Sequence, residues 1–145
     1  MTMEINKFKF YPVNIIKNPD ETYTIQTCNW EGAISEAKTL EEAYEVAYVL
    51  VMDVINSLFE DNTPIPCGVK AKKGDYIVEL PLDAALKIAL RNIMLEERYR
   101  KADLAKGLGI APQRMSTFLS LKKSTKLDFL EKAFSFMKRP ISITA

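Results

Sequence analysis

No histidine occurs among the 145 residues of the chain. That absence removes the usual general base near neutral pH, the commonest metal ligand and every histidine-dependent catalytic triad. Cysteine is scarce: Cys28 and Cys67 are the only two and share no motif spacing, so neither a disulfide framework nor a metal site is indicated. Long apolar runs are missing. The most apolar stretch, residues 46–52 (VAYVLVM), falls far short of the ~20 residues needed to span a bilayer. The N-terminus lacks the basic-then-apolar layout of a signal peptide, and no repeat or low-complexity segment interrupts the chain. These absences point to a cytoplasmic protein that binds no membrane, metal or cofactor.

Net charge is also nearly absent, at +1 from 20 Lys/Arg and 19 Asp/Glu, but the total conceals a split. Residues 1–81 carry 7 Lys/Arg and 13 Asp/Glu, a net of −6; residues 82–145 carry 13 and 6, a net of +7. Opposite signs in two halves suggest two partners. A basic half suits a polyanion, and an acidic half suits a basic protein or simple solubility. An apolar fraction of 48% with 27% charged residues is enough for a packed core, so both halves are expected to fold.

The two halves also differ in period. Residues 8–17 alternate, with Tyr11, Val13 and Ile15 on one face, and Pro12 suggests an edge strand. Turn residues at 18–21 lead to a second strand carrying Tyr23, Ile25 and Thr27. A third short strand is expected within 30–37. Thr39 with Glu42 reads as a capping box, opening a helix whose stripe is Ala43, Ala47, Leu50, Val54 and Leu58. Val46, Val49, Val51 and Ile55 widen that stripe, so the helix should either be covered on two sides, by the sheet and by something else, or lie deep in the core of one domain. Residues 60–74, with Pro64, Pro66, Gly68 and Gly74, read as a linker. A last strand follows at 75–80, and Pro81 ends it.

From Leu82 the period is helical. Leu82, Leu86, Ala89, Leu90 and Ile93 mark a helix to about residue 98, short helices are expected at 102–108 and 112–120, and a last one begins after Thr125. In that last helix Asp128 is a second cap signal, and Leu127, Leu130, Phe134 and Met137 form the stripe. Arg139-Pro140 should stop it, before a closing strand at 141–144. The fold class is therefore α+β, with a small antiparallel sheet and helix in residues 1–81 and an all-helical unit in 82–145.

Residues 101–120 (KADLAKGLGIAPQRMSTFLS) carry the most specific pattern. Two short helices crossing around a tight turn need a small residue at closest approach, which Ala105 supplies, and a turn residue tolerant of positive φ, which Gly109 supplies. Leu104, Leu108, Ile110, Met115 and Phe118 fill the wedge, and Pro112 suits the first turn of the second helix. This segment resembles the helix-turn-helix of the Cro/C1-type (XRE) repressor family. With Met115 and Phe118 inward, Gln113, Arg114, Ser116 and Thr117 face out, where such side chains can read base edges in the major groove. Lys101, Lys122 and Lys123 flank them as candidate phosphate contacts.

The chain from about Phe10 to its end also resembles the HicB antitoxin family of HicA–HicB toxin–antitoxin systems. The carriers are Tyr11-Pro12-Val13, the helix start Thr39-Leu40-Glu41-Glu42-Ala43, Phe59-Glu60-Asp61-Asn62 with Pro64 and Pro66, and the strand at 76–82. The sequence departs from the family pattern at Ala37-Lys38, where a glycine usually precedes the helix-starting threonine, and at Asn29-Trp30-Glu31, where an acidic residue and a proline are common. The resemblance implies a partial RNase H-like sheet-and-helix unit without catalysis and a homodimer or higher assembly. It also implies a small basic ribonuclease toxin as partner, and repression of its own operon through operator DNA. Two other readings compete with it. One is a stand-alone regulator whose N-terminal unit senses a small molecule. The other is a Mg²⁺-dependent nuclease, which needs carboxylates converging on one point, whereas Glu41, Glu42 and Glu45 lie together on one capped helix.

Overall fold

A short strand β1 (Met3–Glu4) and a 3-10 turn (Ile5–Phe8) precede the main sheet. The computed structural model describes residues 3–139 and 141–142. Alternating residues then build β2 (Phe10–Lys17), β3 (Tyr23–Thr27) and β4 (Ile34–Ala37) as an antiparallel meander. After the long helix α1 (Leu40–Glu60) the chain returns as β5 (Tyr76–Glu79), which pairs antiparallel with β2. The strand order is β4-β3-β2-β5. The register sets Tyr11 against Val78, Val13 against Thr27 and Tyr76, and Ile15 against Ile25. One face therefore collects the apolar set, and α1 packs on it.

Pro12 does not lie on an edge strand, contrary to expectation, because β2 is paired on both sides. In an antiparallel strand the N–H and C=O of one residue point the same way. The Pro12 carbonyl accepts from Cys28 N–H at 3.1 Å, one residue beyond the last β2–β3 pair, Val13 with Thr27. The missing N–H thus faces the point where β3 leaves the sheet, and the proline forgoes only the reciprocal bond to Cys28 at the end of the ladder.

Thr39 caps α1 as expected, its Oγ1 accepting from Glu42 N–H at 3.1 Å. The Glu42 carboxylate, however, accepts from Lys38 N–H at 3.3 Å, one residue before the cap, so the reciprocal arm is shifted. The fully buried row is Ala43, Ala47, Val51, Ile55 and Phe59, with the expected Leu50, Val54 and Leu58 half-buried on its margin. A row of i+4 steps advances about 40° per step around a 3.6-residue helix. Over 21 residues it winds with the twisted sheet beneath it.

Residues 63–75 form no helix or strand, but they are not the free linker expected of their Pro and Gly content. Ile65 is buried, and its N–H and C=O are both held by the Asn92 amide, at 2.9 and 2.8 Å. Tyr11 donates its hydroxyl to Pro66 O at 2.8 Å, and burial raises its pKa above the ordinary tyrosine range, with Cys67 adding to the shift. Gly68 N–H reaches Lys7 O at 2.9 Å. A Cβ on Gly68 would lie 1.8 Å from the Phe10 carbonyl oxygen, so only glycine fits there. Asn29 clasps the same loop through Cys67 O and Val69 N–H, and Trp30 stacks on Tyr11 with ring centroids 5.8 Å apart. The residues that depart from the family pattern at 29 and 30 therefore brace this loop.

The rest is helical: α2 (Leu82–Glu96), α3 (Lys101–Leu108), α4 (Pro112–Leu119) and α5 (Leu127–Phe136), before a two-residue strand β6 (Ile141–Ser142). That strand runs parallel to β1, pairing Met3 with Ile141 and Glu4 with Ser142. Pro140, Ile143 and Thr144 lie outside the described residues. α2 is buried nearly all round, from Ala84 to Leu90 and again at Arg91, Ile93 and Met94, because the 3-10 turn covers one side and α5 another. Two expected stripe positions are exposed, Leu82 and Leu127. Each is the first residue of its helix and lies outside the contact. The expected cap of α5 is not formed either. The Thr125 hydroxyl donates to Phe118 O at 2.7 Å, and Asp128 accepts from its neighbour Phe129 N–H. The buried apolar residues of the sheet, α1 and the four later helices make one continuous cluster.

Candidate nucleic-acid interface

The α3–α4 pair is held by the features that its sequence displays. Ala105 and Leu104 are buried where the helices approach. Gly109 ends α3 in the left-handed region, at φ 68° and ψ 35°, and Ile110 N–H then donates to Ala105 O at 2.9 Å. This is the hydrogen bonding by which a left-handed residue closes a helix. At the other end of α3, Arg100 N–H donates to the Asp103 carboxylate at 2.9 Å. That bond, with the Arg100 side chain alongside, holds the Asp103 carboxyl below its ordinary pKa.

In α4 the inward residues are Met115 and Leu119, one turn apart and both buried. Phe118, expected inside, is half-buried and stacks on Phe129 with centroids 4.3 Å apart. Leu119 was missed because a wedge filled by Phe118 leaves no apparent need for it. The helix rotation this fixes leaves Gln113, Arg114, Ser116 and Thr117 all exposed. Gln113 and Thr117 sit one above the other at the centre of the outer face. Arg114 and Ser116 fall on opposite flanks. The Arg114 guanidinium lies 5.3 Å from the Phe118 ring centre, a cation–π contact that restricts its rotamers.

The three expected lysines divide between those flanks. Lys123 borders a cavity of about 520 Å³ together with Arg114, Thr117, Phe118 and Phe129, where Lys126 and Lys132 add positive charge that its sequence pattern did not single out. Lys101 and Lys122 border a smaller hollow of about 210 Å³ with Ser116, facing Glu60 at the end of α1. Lys122 and Lys123 are exposed, and Lys101 is half-buried at the start of α3. A third hollow, about 770 Å³, is lined by Arg91, Arg98, Arg100 and Lys101 against Phe59 and Glu60. Within it Arg91 is buried, donates to Asn62 Oδ1 and lies over the Phe59 ring.

The loop bearing Lys122 and Lys123 is fixed from below by a residue that reads as an ordinary helix lysine. Lys87 is fully buried. Its ammonium donates to Ser120 O at 2.7 Å and to Lys123 O, and it lies 3.7 Å from the Asp83 carboxylate. Asp83 in turn accepts from Thr125 N–H at 3.0 Å. Burial pushes the Lys87 pKa below the ordinary lysine value, against the opposing pull of Asp83. The only sequence trace of this pair is its i,i+4 spacing, which is common on exposed helix faces. Among the described residues no three of His, Cys, Asp and Glu come together as a metal site, and no helix is long and apolar enough to cross a membrane.

Comparison with known proteins now bears on the sheet half. The profile of the HicB-like antitoxin of bacterial toxin–antitoxin systems matches residues 10–89, from β2 into α2. The chain belongs to the HicB-like antitoxin family. Two curated relatives extend the similarity of this HicB-like protein over more than nine-tenths of the chain, and a third over part of it. Antitoxin HicB 2 of Photorhabdus laumondii subsp. laumondii is 32% identical over 136 residues, 93% of this chain and 95% of the relative. Antitoxin HicB of Escherichia coli (strain K12) is 27% identical over 133 residues, covering 92% and 96%. Antitoxin HicB of Pseudomonas fluorescens is 28% identical over 107 residues, 73% of each. Membership makes the chain an antitoxin of a toxin–antitoxin system and not an enzyme.

Proposed function

We propose that this antitoxin binds and neutralises a small basic HicA-like ribonuclease toxin through residues 1–81, and represses its own operon by binding operator DNA through residues 82–145. In this reading α3 and α4 form a Cro/C1-type helix-turn-helix, with Gln113, Arg114, Ser116 and Thr117 meeting bases and Lys101, Lys122 and Lys123 meeting phosphates. The protein acts as a homodimer or a dimer of dimers, because a helix-turn-helix binds symmetric half-sites in pairs.

The observation that carries the DNA assignment is the exposure of all four polar residues of α4 on a helix locked by Met115 and Leu119. The helix lies in the half of the chain with net charge +7. Gln pairs bidentately with adenine and Arg with guanine, each worth about 1–3 kcal/mol of discrimination. The division near Pro81 rests on the charge split and the change of period; the two parts share one continuous core.

Fluorescence anisotropy on an operator duplex and a scrambled duplex tests this reading. Gln113→Ala and Arg114→Ala should weaken the operator roughly 5- to 150-fold and the scrambled duplex much less. Lys122→Ala and Lys123→Ala should weaken both alike and flatten the salt dependence, whose log–log slope should be at least about −4 in the unaltered protein. Equal losses on both duplexes for the Gln113 and Arg114 variants would mean that α4 does not read bases.

A further inference from the structure

The sequence of α1 asks for cover on two sides, and the sheet supplies one. The other side is a solvent face of unusual composition. Two adjacent i+4 rows run along it. One is Tyr44, Tyr48 and Met52; the other is Glu41, Glu45, Val49 and Asp53. Tyr44 and Tyr48 are each 38% exposed and Val49 is 54% exposed. Met52 is half-buried and the three carboxylates are exposed. Tyr44 is held in place by stacking on Tyr76 of β5, with centroids 4.5 Å apart. The result is a rigid aromatic and apolar ridge about 14 Å long, at 1.5 Å per residue, lying beside an acidic one.

We infer that this face of α1 is the surface on which the antitoxin receives its toxin, and that the occupant is a basic protein segment presenting Lys or Arg to the acidic ridge and apolar groups to Tyr48 and Met52. The inference rests on the toxin-binding reading above and names where that binding occurs. Charge selects the occupant. α1 carries Glu41, Glu42, Glu45, Asp53 and Glu60 and not one Lys or Arg. A second copy of the chain meeting this face across a two-fold axis would set the same carboxylates against one another. Like charges across an interface oppose association, whereas a basic partner is both steered and retained. Tyr and Met are also the residue types that interfaces favour, and buried Tyr anchors dominate binding energy.

The opposite face of the sheet also exposes apolar residues, Phe10, Ile16, Ile34 and Ile77. The register interleaves them with Asn14, Thr24, Gln26, Glu36 and Glu79. No continuous ridge forms there, and it provides the comparison surface.

The test is calorimetric titration of the full-length protein with the purified HicA-like toxin of the same operon. Tyr48→Ala and Glu45→Lys should each weaken binding at least about tenfold, and Glu45→Lys should also slow association and flatten its salt dependence. Ile34→Ser should bind as the unaltered protein does. Both α1 positions are exposed, and matching melting curves would establish that the variants fold. Normal toxin binding by both α1 variants would overturn the inference while leaving the toxin reading intact. Loss on Ile34→Ser alone would move the dock to the sheet. A fall in oligomer mass for Tyr48→Ala with toxin affinity unchanged would assign the face to self-association, against the inference. No binding by the unaltered protein would overturn the toxin reading itself, and this inference with it.

Discussion

Replacing Lys87 separates what its stem contributes from what its charge does. The ammonium is fully buried, with the Ser120 and Lys123 carbonyls accepting from it and Asp83 3.7 Å away. At that distance the Asp83 carboxylate gains about 4 kcal/mol at an effective dielectric constant near 20. Burial pushes the Lys87 pKa down against that pull, so desolvation opposes the ion pair. Two charge-assisted hydrogen bonds, each worth about 1.5–3 kcal/mol, bring the ammonium close to balance. Lys87→Met keeps the stem volume but leaves Asp83 and two carbonyls without their ammonium, so it should cost about 1–3 kcal/mol. Lys87→Ala also empties the stem site, and lost methylene burial plus the cavity should add about 3 kcal/mol to that. The Met variant nevertheless frees the carbonyls that pin the loop at 120–125. Amide exchange at Lys122, Lys123 and Thr125 should therefore quicken by more than the loss of global stability accounts for. Urea unfolding gives the energies and amide exchange the local effect. Equal losses for Met and Ala, or unchanged exchange in the Met variant, would refute the pinning role.

Gly68→Ala should cost about 3 kcal/mol in urea unfolding, since its Cβ would meet the Phe10 backbone at 1.8 Å. Gly109→Ala should cost only about 1 kcal/mol, because open space surrounds it and only its φ of 68° is unfavourable; equal costs would contradict the packing described for the 63–75 loop. Asp103 has a folded pKa below its ordinary 3.8, chiefly through the Arg100 N–H. Its stabilisation is present above that ordinary value and lost as pH falls through the lower folded one. The difference in melting temperature between the unaltered protein and Asp103→Asn should thus shrink from pH 7 towards pH 2, and a constant difference would count against the cap.

Local chemistry made much of this fold legible. The positive φ of Gly109, the Thr39 cap and the two-residue period of β2 and β3 each follow from nearest-neighbour constraints, and each is found. What the sequence hid was set by partners distant along the chain. Pro12 reads as an edge residue until Cys28 is seen to take its carbonyl. Residues 60–74 read as a linker because Pro and Gly break periodicity, and nothing local announces that Asn92, Asn29 and Lys7 hold them. The exposed residues of α4 were legible because Met115 alone nearly fixes the helix rotation. Lys87 was not, since a buried lysine and an exposed one look the same in an i,i+4 pair. The neglected Leu119 shows the limit of apolar counting: two aromatic rings stacked at the rim can leave the core position to an aliphatic neighbour.

Toxin-dependent RNA cleavage, followed as the full-length protein is titrated in, tests the central claim most directly. Cleavage by the HicA-like toxin should stop near equimolar antitoxin, and inhibition should persist when Gln113 and Arg114 are both replaced by Ala, since the proposed toxin surface lies within residues 1–81. Cleavage that continues at a tenfold excess of the unaltered protein would contradict it.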